Sequence, residues 1–178
     1  AEIDAIAGEP AAPTFANTIA AFDRSGRLLA RVGALFHNLA SSETSPALQA
    51  VQREMAPLLA AHDSRVHTHA QLFARIDKVH TAREQSALDG EQRRALERFH
   101  LDFVRAGAKL APVEQKRYAA VMQRLAELTT RFGQNVLADE SSFQLVLRDE
   151  ADAAGLPDFV RAAARQAASE RGVADASG

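Results

Sequence analysis

The residues of this chain that could carry chemistry most directly are its histidines, because imidazole binds zinc and transfers protons near neutral pH. There are six of them: His37, His62, His67, His69, His80 and His100. No two are three or four positions apart, so no helix can present two imidazoles to one metal in the usual way. His62, His67 and His69 form the nearest group, but on a helix the first two would point about 140° apart. They could meet only through a break in that helix, and we predict no metal site.

Neighbouring carboxylates are the second set of candidates, since a pair of them can act as general acid and base. The pairs stand at the ends of predicted segments, where they are suited to capping backbone N–H groups. Capping is therefore the role that we predict for them in preference to catalysis. They are Asp139, Glu140, Asp149, Glu150 and Asp152.

Two further histidines have ordinary structural interpretations. His80 and Glu84 are four positions apart and could pair along a helix surface, which is worth only a few tenths of a kcal/mol. His100 stands beside Phe99, and we interpret it as an interface histidine, with a substrate-facing role in a larger enzyme as the alternative. The G-x-G, G-x-S-x-G and P-loop motifs are all absent. The sequence therefore assigns no catalytic, cofactor-binding or metal-binding residue.

Composition restricts the class of protein. The chain has 178 residues, enough for one domain or one helical lobe of a larger protein, and 47% of them are apolar. Its net charge of −2 gives no reason to expect a nucleic acid partner. The sequence has no cysteine, which excludes disulfides and is compatible with the cytoplasmic location that we expect. No apolar run approaches the ~20 residues that span a bilayer, and the start AEIDAIAGEP does not have the pattern of a signal peptide.

Two long helices are the clearest elements, and they lie between Asp89 and Leu147. Asp89 can cap the first helix, and Pro112 fits the first turn of the second. The link between them is short, so we expect them to be antiparallel. Apolar residues recur on the first helix at Leu96, Phe99, Phe103, Ala106 and Leu110, and on the second at Tyr118, Val121, Leu125, Leu128 and Phe132.

Three helices are predicted before this hairpin, after a short one that ends at Ala7. The first runs from a Thr14 cap to about Leu39, with Gly26 and Gly33 as points of close packing against a neighbour. Because the short helix starts at residue 1, we expect the natural chain to begin earlier.

The next helix starts with Ser45 and Pro46, and Pro57 inside it predicts a kink or a break. A third helix follows His69 and ends near Ser86.

An extended arm and a final helix complete the predicted fold. Phe143, Leu145 and Leu147 alternate as in a strand, and a last helix runs from Leu156 to Gly172, anchored by Phe159 and Val160. We predict an all-α, antiparallel helical bundle that forms one domain over residues 1–173, with a loose tail at 174–178. Its core is expected to include Phe22, Leu29, Phe36, Met55, Phe73, Ile76, Phe99, Phe103, Leu125 and Phe132.

Several strings in the sequence resemble one protein family. FHLDFVRAGAKL and RLAELTTRFGQNVLADE are similar to a segment of the thimet-oligopeptidase-like (neurolysin-like) zinc metallopeptidases, in their oligopeptidase A and dipeptidyl carboxypeptidase branch. PTFANTIAAFDRSGRLLARV, APLLAAH, LFARID and AGLPDFVRAAARQAASERG resemble other parts of the same amino-terminal region, in the same order. The resemblance covers the chain from Ala1 to about Val173.

The resemblance implies a helical amino-terminal lobe that walls the peptide channel of an enzyme hydrolysing short peptides. Such enzymes use a His-Glu-x-x-His zinc helix, which this chain does not contain. Zinc is therefore expected in the intact parent and not here, and the expected partners are its catalytic domain and peptide substrates. We expect this chain alone to be inactive and to self-associate. The sequence does not indicate whether the parent removes dipeptides or cuts internally.

Two alternatives remain open at this point. A free-standing helical interaction module could use the stripe from Tyr118 to Asn135 as its binding surface. An independent hydrolase would have to use the region from His62 to His69.

Overall fold

Helices dominate the structure, a computed structural model that describes residues 1–173. No strand occurs in the described residues, which confirms the predicted all-α fold. A π-helical turn at Phe15–Ile19 and a 3₁₀ turn at Arg83–Gln85 accompany the α-helices. The α-helices are α1 (Glu2–Ala7), α2 (Ala20–Asp23), α3 (Arg27–Ser42), α4 (Pro46–His67), α5 (Ala70–Thr81), α6 (Gly90–Arg105), α7 (Pro112–Ser142) and α8 (Asp158–Glu170).

Backbone contacts divide the chain into two units within α7. The first comprises Ala1–Gln134, and the second begins at Asn135. The single domain over residues 1–173 stays a prediction. The predicted tail at 174–178 lies outside the described residues.

The core of the first unit is built where α5 packs on α6, with α1 and the π-helical turn packed against them. Apolar residues three or four apart give each element one buried face. The ring of Phe22 meets those of Phe99 and Phe103 edge to face, at centroid distances of 5.4 and 5.3 Å. The fully buried side chains are Thr18, Ile19, Leu72, Ile76, Leu96 and Phe103.

Side-chain caps start the helices where the sequence predicts them. The Thr14 hydroxyl accepts from Asn17 N–H at 3.2 Å, and the Ser45 hydroxyl accepts from Leu48 N–H at 3.3 Å. The Asp89 carboxylate accepts from Gln92 N–H at 2.8 Å. These oxygens satisfy N–H groups that the first turn of a helix leaves unpaired.

The long helix predicted from Thr14 to Leu39 is interrupted at Gly26. Gly26 has φ 69°, in the left-handed region, and its N–H donates to the Glu2 carboxylate at 2.7 Å. A Cβ at Gly26 would meet no atom within 4 Å, and one at Gly33 would meet only the His37 ring at 3.9 Å. The prediction that both glycines pack closely on a neighbouring helix is therefore wrong.

At Pro57 the sequence predicts a kink or a break. The break does not occur, because α4 continues through Pro57 to His67, and the kink stays a prediction. Proline removes one hydrogen bond, to the carbonyl four residues earlier. That carbonyl belongs to Arg53, an exposed residue, where water can replace the lost N–H. The helix therefore loses one hydrogen bond without ending.

Two helices end earlier than their apolar patterns predict. α5 ends at Thr81 and not near Ser86. α6 ends at Arg105, before Ala106 and Leu110, because Gly107 turns the chain at φ 94°. α6 packs mainly on α5, whereas α7 is not among its main neighbours.

Three predicted core residues are exposed: Leu29, Leu125 and Phe132. Ile76 and Phe103 are fully buried, and the remaining five are partly buried. Apolar spacing finds the face of a helix but not the element that covers it. Hence the predictions hold where α5 and α6 meet, and they fail at Leu29 on α3 and at Leu125 and Phe132 on α7.

The described part of the second unit holds the arm and α8. Residues 144–147 belong to no helix or strand, and they line a groove along α8 with Ala164, Ala167 and Ala168. The left-handed Gly172, at φ 67°, lies just beyond the end of the helix. Val160 is half-buried, but Phe159 is 76% exposed, so its predicted role as an anchor is wrong.

Candidate functional site

Asp77, His80 and His100 form a cluster of titratable side chains where α5 meets α6. The rings of His80 and His100 lie face to face, with centroids 3.8 Å apart and planes inclined by 4°. His100 Nε2 donates to Asp77 Oδ1 at 2.9 Å, and the His100 side chain is 13% exposed. The ring of Phe73 stacks on His100 at 5.7 Å. His100 is therefore an interface residue, as its position beside Phe99 predicts.

The electrostatics of this cluster favour a neutral His80. Burial lowers the pKa of His80 below its ordinary value, and the nearby His100 and Arg83 lower it further. Asp77 and Glu97 oppose these effects. The predicted pairing of His80 with Glu84 is not formed, since Glu84 pairs with Arg93 at 2.8 Å.

The histidines do not fit a zinc site. His62 is exposed, whereas His67 bonds to the Asp63 carbonyl at 3.0 Å and packs its ring on Phe103. His69 caps α5, with Nδ1 accepting from Leu72 N–H at 3.3 Å.

The continuous α4 keeps His62 and His67 on different faces. Within residues 1–173, no three His, Cys, Asp or Glu side chains are grouped as a metal site would require.

Three carboxylates of the second unit, Asp149, Glu150 and Asp152, take structural roles. Asp149 accepts from Asp152 N–H, and Asp152 accepts from Arg148 N–H, both at 2.9 Å. Glu150 pairs with Arg161 at 2.6 Å. The two contacts with backbone N–H groups are turn contacts of the kind that the sequence predicts, whereas Glu150 forms an ion pair. The capping predicted for Asp139 and Glu140 stays a prediction.

Arg75 is a buried residue whose role the sequence analysis missed. The residue is 7% exposed, and its guanidinium donates to the carbonyls of Glu9 and Ala11 at 2.7 and 3.1 Å. It also donates to the Asn17 side chain at 3.1 Å, so it ties the loop after α1 to α5. In the sequence, Arg75 stands among the apolar residues Leu72 and Ile76 of the same helix face, and this position could have indicated its burial.

Two rows of exposed apolar side chains are the most extensive unpaired feature of the first unit. The α3 stripe consists of Leu28, Val32, Leu35 and Leu39, and the α7 stripe of Val121, Leu125, Leu128 and Phe132. Each repeats at intervals of four, three and four residues, which places its members on one face of a helix. Large exposed apolar surfaces mark interaction sites. Among the described residues, no helix has the length and apolarity needed to cross a membrane.

Comparison with known proteins relates nearly the whole chain to peptidases. It is 39% identical over 173 residues to dipeptidyl carboxypeptidase of Escherichia coli, and 36% identical over 172 residues to that of Salmonella typhimurium. Each match covers 97% of this chain and 25% of the relative.

Oligopeptidase A of Haemophilus influenzae is 28% identical over 160 residues, covering 90% of this chain and 24% of that protein. No protein-family model matches the chain. The chain spans about a quarter of the length of these relatives. The matches confirm the predicted resemblance to dipeptidyl carboxypeptidase and oligopeptidase A.

Proposed function

We propose that this chain, as a relative of dipeptidyl carboxypeptidase and oligopeptidase A, is the non-catalytic amino-terminal helical part of a zinc-dependent peptidase. Its helices would wall the path of short peptides in the intact enzyme. The observation that carries the proposal is the continuous similarity over 173 residues to a quarter of dipeptidyl carboxypeptidase. A cytoplasmic location is part of the same proposal.

The exposed stripes support a role inside a larger protein. The α3 stripe and the α7 stripe present eight apolar side chains that the described residues leave exposed. Covering such rows removes apolar surface from water, which contributes a stabilising free energy of roughly 25 cal/mol for each Å² buried. A catalytic domain of the same polypeptide is the partner that we propose for them, and the isolated chain would instead self-associate.

Rigid helices suit the proposed wall. Packed helices hold their positions through interdigitated side chains, and their close-packed interiors are hardly compressible. In the first unit, α5 and α6 share the buried Leu72, Ile76 and Phe103, and Arg75 fixes the preceding loop. A wall of this kind would admit an extended peptide and exclude a folded protein.

Zinc would be held outside this chain. Hydrolysis requires three metal ligands in a fixed geometry and an activated water. His62, His67 and His69 do not provide such a set. His67 bonds to a carbonyl of its own helix, His69 caps α5, and His62 is exposed. No zinc ligand or catalytic base is therefore assigned to a residue of this chain.

The test uses both the coding sequence and the proteins. We expect a His-Glu-x-x-His motif downstream of residue 178, and a whole product that cleaves short quenched peptides until a chelator removes its zinc. The 178-residue chain should bind no stoichiometric zinc at micromolar metal and hydrolyse none of these peptides. One zinc per chain, with turnover lost in a His67→Ala and His69→Ala double mutant, would contradict the proposal.

A helical interaction module is the second candidate, and the exposed α7 stripe favours it. Its surface would bind an amphipathic helix of another protein. A stop codon directly after residue 178, together with an inactive product, would favour this candidate over the first.

A further inference from the structure

The stacked pair of His80 and His100 joins the two helices that build the core. His80 lies in the last turn of α5, and His100 lies in the second half of α6. Their rings are 3.8 Å apart and nearly parallel. The same helix pair carries Leu72, Ile76 and Phe103. The stack reaches this core through Phe73, whose ring lies 5.7 Å from that of His100 and 6.2 Å from that of Phe103.

The charged groups around the stack can balance only part of a double positive charge. From α5, the Asp77 carboxylate bonds to His100 at 2.9 Å. From α6, Glu97 acts on His80 attractively, whereas Arg83 of the 3₁₀ turn acts repulsively. Arg83 is also fixed there, because its guanidinium donates to the His80 carbonyl at 2.8 Å. Asp77 can thus offset the charge of a protonated His100. At His80 the attraction of Glu97 is opposed by Arg83, which itself lies 3.6 Å from the Glu84 carboxylate.

We propose that the His80–His100 stack is a proton-sensitive contact that holds α5 against α6 while at least one imidazole is neutral, and loosens when both are protonated. Two like charges 3.8 Å apart repel, and the partly buried position limits screening by water. Histidine is the side chain suited to this role, since it titrates between about pH 5 and 8. The proposal is independent of the peptidase relationship.

The direction of the pH dependence follows from His80. Its pKa is lowered in the folded chain from the ordinary 6.5, chiefly by burial. Below pH 6.5 the unfolded chain therefore binds more protons at this position than the folded chain. The stabilisation is fully present above 6.5 and is lost as the pH falls through the lowered folded value.

A matched substitution separates titration from packing. Phenylalanine at position 80 keeps a flat ring for the stack, and none of the hydrogen bonds in residues 1–173 uses the His80 ring nitrogens. Between about pH 7.5 and pH 5.5, we expect the Tm of the wild type to fall by about 2–4 °C more than that of His80→Phe. The exposed His62 supplies the control, and His62→Gln should keep the wild-type fall.

Two results would overturn the proposal. One is the same fall of Tm in the wild type and in a folded His80→Phe. The other comes from NMR of the histidine ring protons, where the pKa of His80 should lie below its ordinary value of 6.5. A His80 midpoint at or above 6.5 would show that the stack does not disfavour the second proton. The NMR measurement uses the wild type, so it decides even if His80→Phe fails to fold.

Discussion

Phe103 and Phe132 stand in the same sequence pattern and in the same unit, but their side chains differ in burial. Each lies seven residues after a leucine on one face of a long helix, Leu96 in α6 and Leu125 in α7. Phe103 is fully buried, and its ring is within 4.8–6.2 Å of the rings of Phe22, Phe73 and His67. Phe132 is 70% exposed.

The difference lies in what surrounds each helix. α6 has α5 and the π-helical turn against its apolar face, whereas α7 reaches α4 through polar contacts. In these contacts, the side-chain amide of Gln134 donates to the carbonyl of Gln49 at 3.0 Å and to the side chain of Gln52 at 3.2 Å. A heptad pattern thus reports that a face is apolar, and only the neighbouring elements decide whether that face is buried.

The largest effect should come from truncating the two phenylalanines. Phe103→Ala removes a buried ring and leaves a cavity, so the free energy of unfolding should fall by about 3–5 kcal/mol. Phe132→Ala removes an exposed ring and should change it by less than about 0.5 kcal/mol. Urea unfolding followed by circular dichroism measures both. Equal losses of unfolding free energy in the two variants would contradict the difference in burial between α6 and α7.

The sequence predicts the fold best where a side chain acts on its own backbone. Thr14, Ser45 and Asp89 cap the helices that they were expected to start. The burial predicted at Ile76 and Phe103 is confirmed, because the apolar faces of α5 and α6 pack on each other there. Burial was not predictable at Leu125 and Phe132, because burial there depends on a surface that apolar spacing does not describe.

The candidate site was predictable only in part. His100 was expected at an interface, but its stack with His80 joins helices whose relative register the sequence does not give. The role of Arg75 is similar, since the carbonyls of Glu9 and Ala11 that it holds come from a loop without periodicity. Contacts between distant segments depend on the packed fold, so patterns within one helix do not predict them.

A second prediction concerns the α7 stripe as a contact between copies of the isolated chain. Identical apolar stripes can pair symmetrically, and substituting charged residues for Leu125 and Phe132 would put carboxylates into that contact. We expect the Leu125→Glu and Phe132→Glu double mutant to weaken self-association at least about tenfold in sedimentation velocity. Phe159→Glu, a change at an exposed phenylalanine outside the stripe, should leave it unchanged. A wild type that stays monomeric at high concentration and binds no hydrophobic dye would contradict the prediction.

The smallest expected effect lies at Gly26, which separates the π-helical turn and α2 from α3 with its exposed stripe. Gly26→Ala places a Cβ on a left-handed residue at φ 69°, which should destabilise the chain by about 1–2 kcal/mol although no atom crowds the position. Gly33 is seven residues further on, inside α3, where Gly33→Ala should stabilise by about 0.5–1 kcal/mol because alanine loses less entropy in a helix. The two substitutions add the same methyl group, so opposite signs in urea unfolding isolate the backbone conformation. A stabilising Gly26→Ala would mean that α2 and α3 form the continuous helix that the apolar pattern predicts. The exposure of the α3 stripe would then have to be determined again.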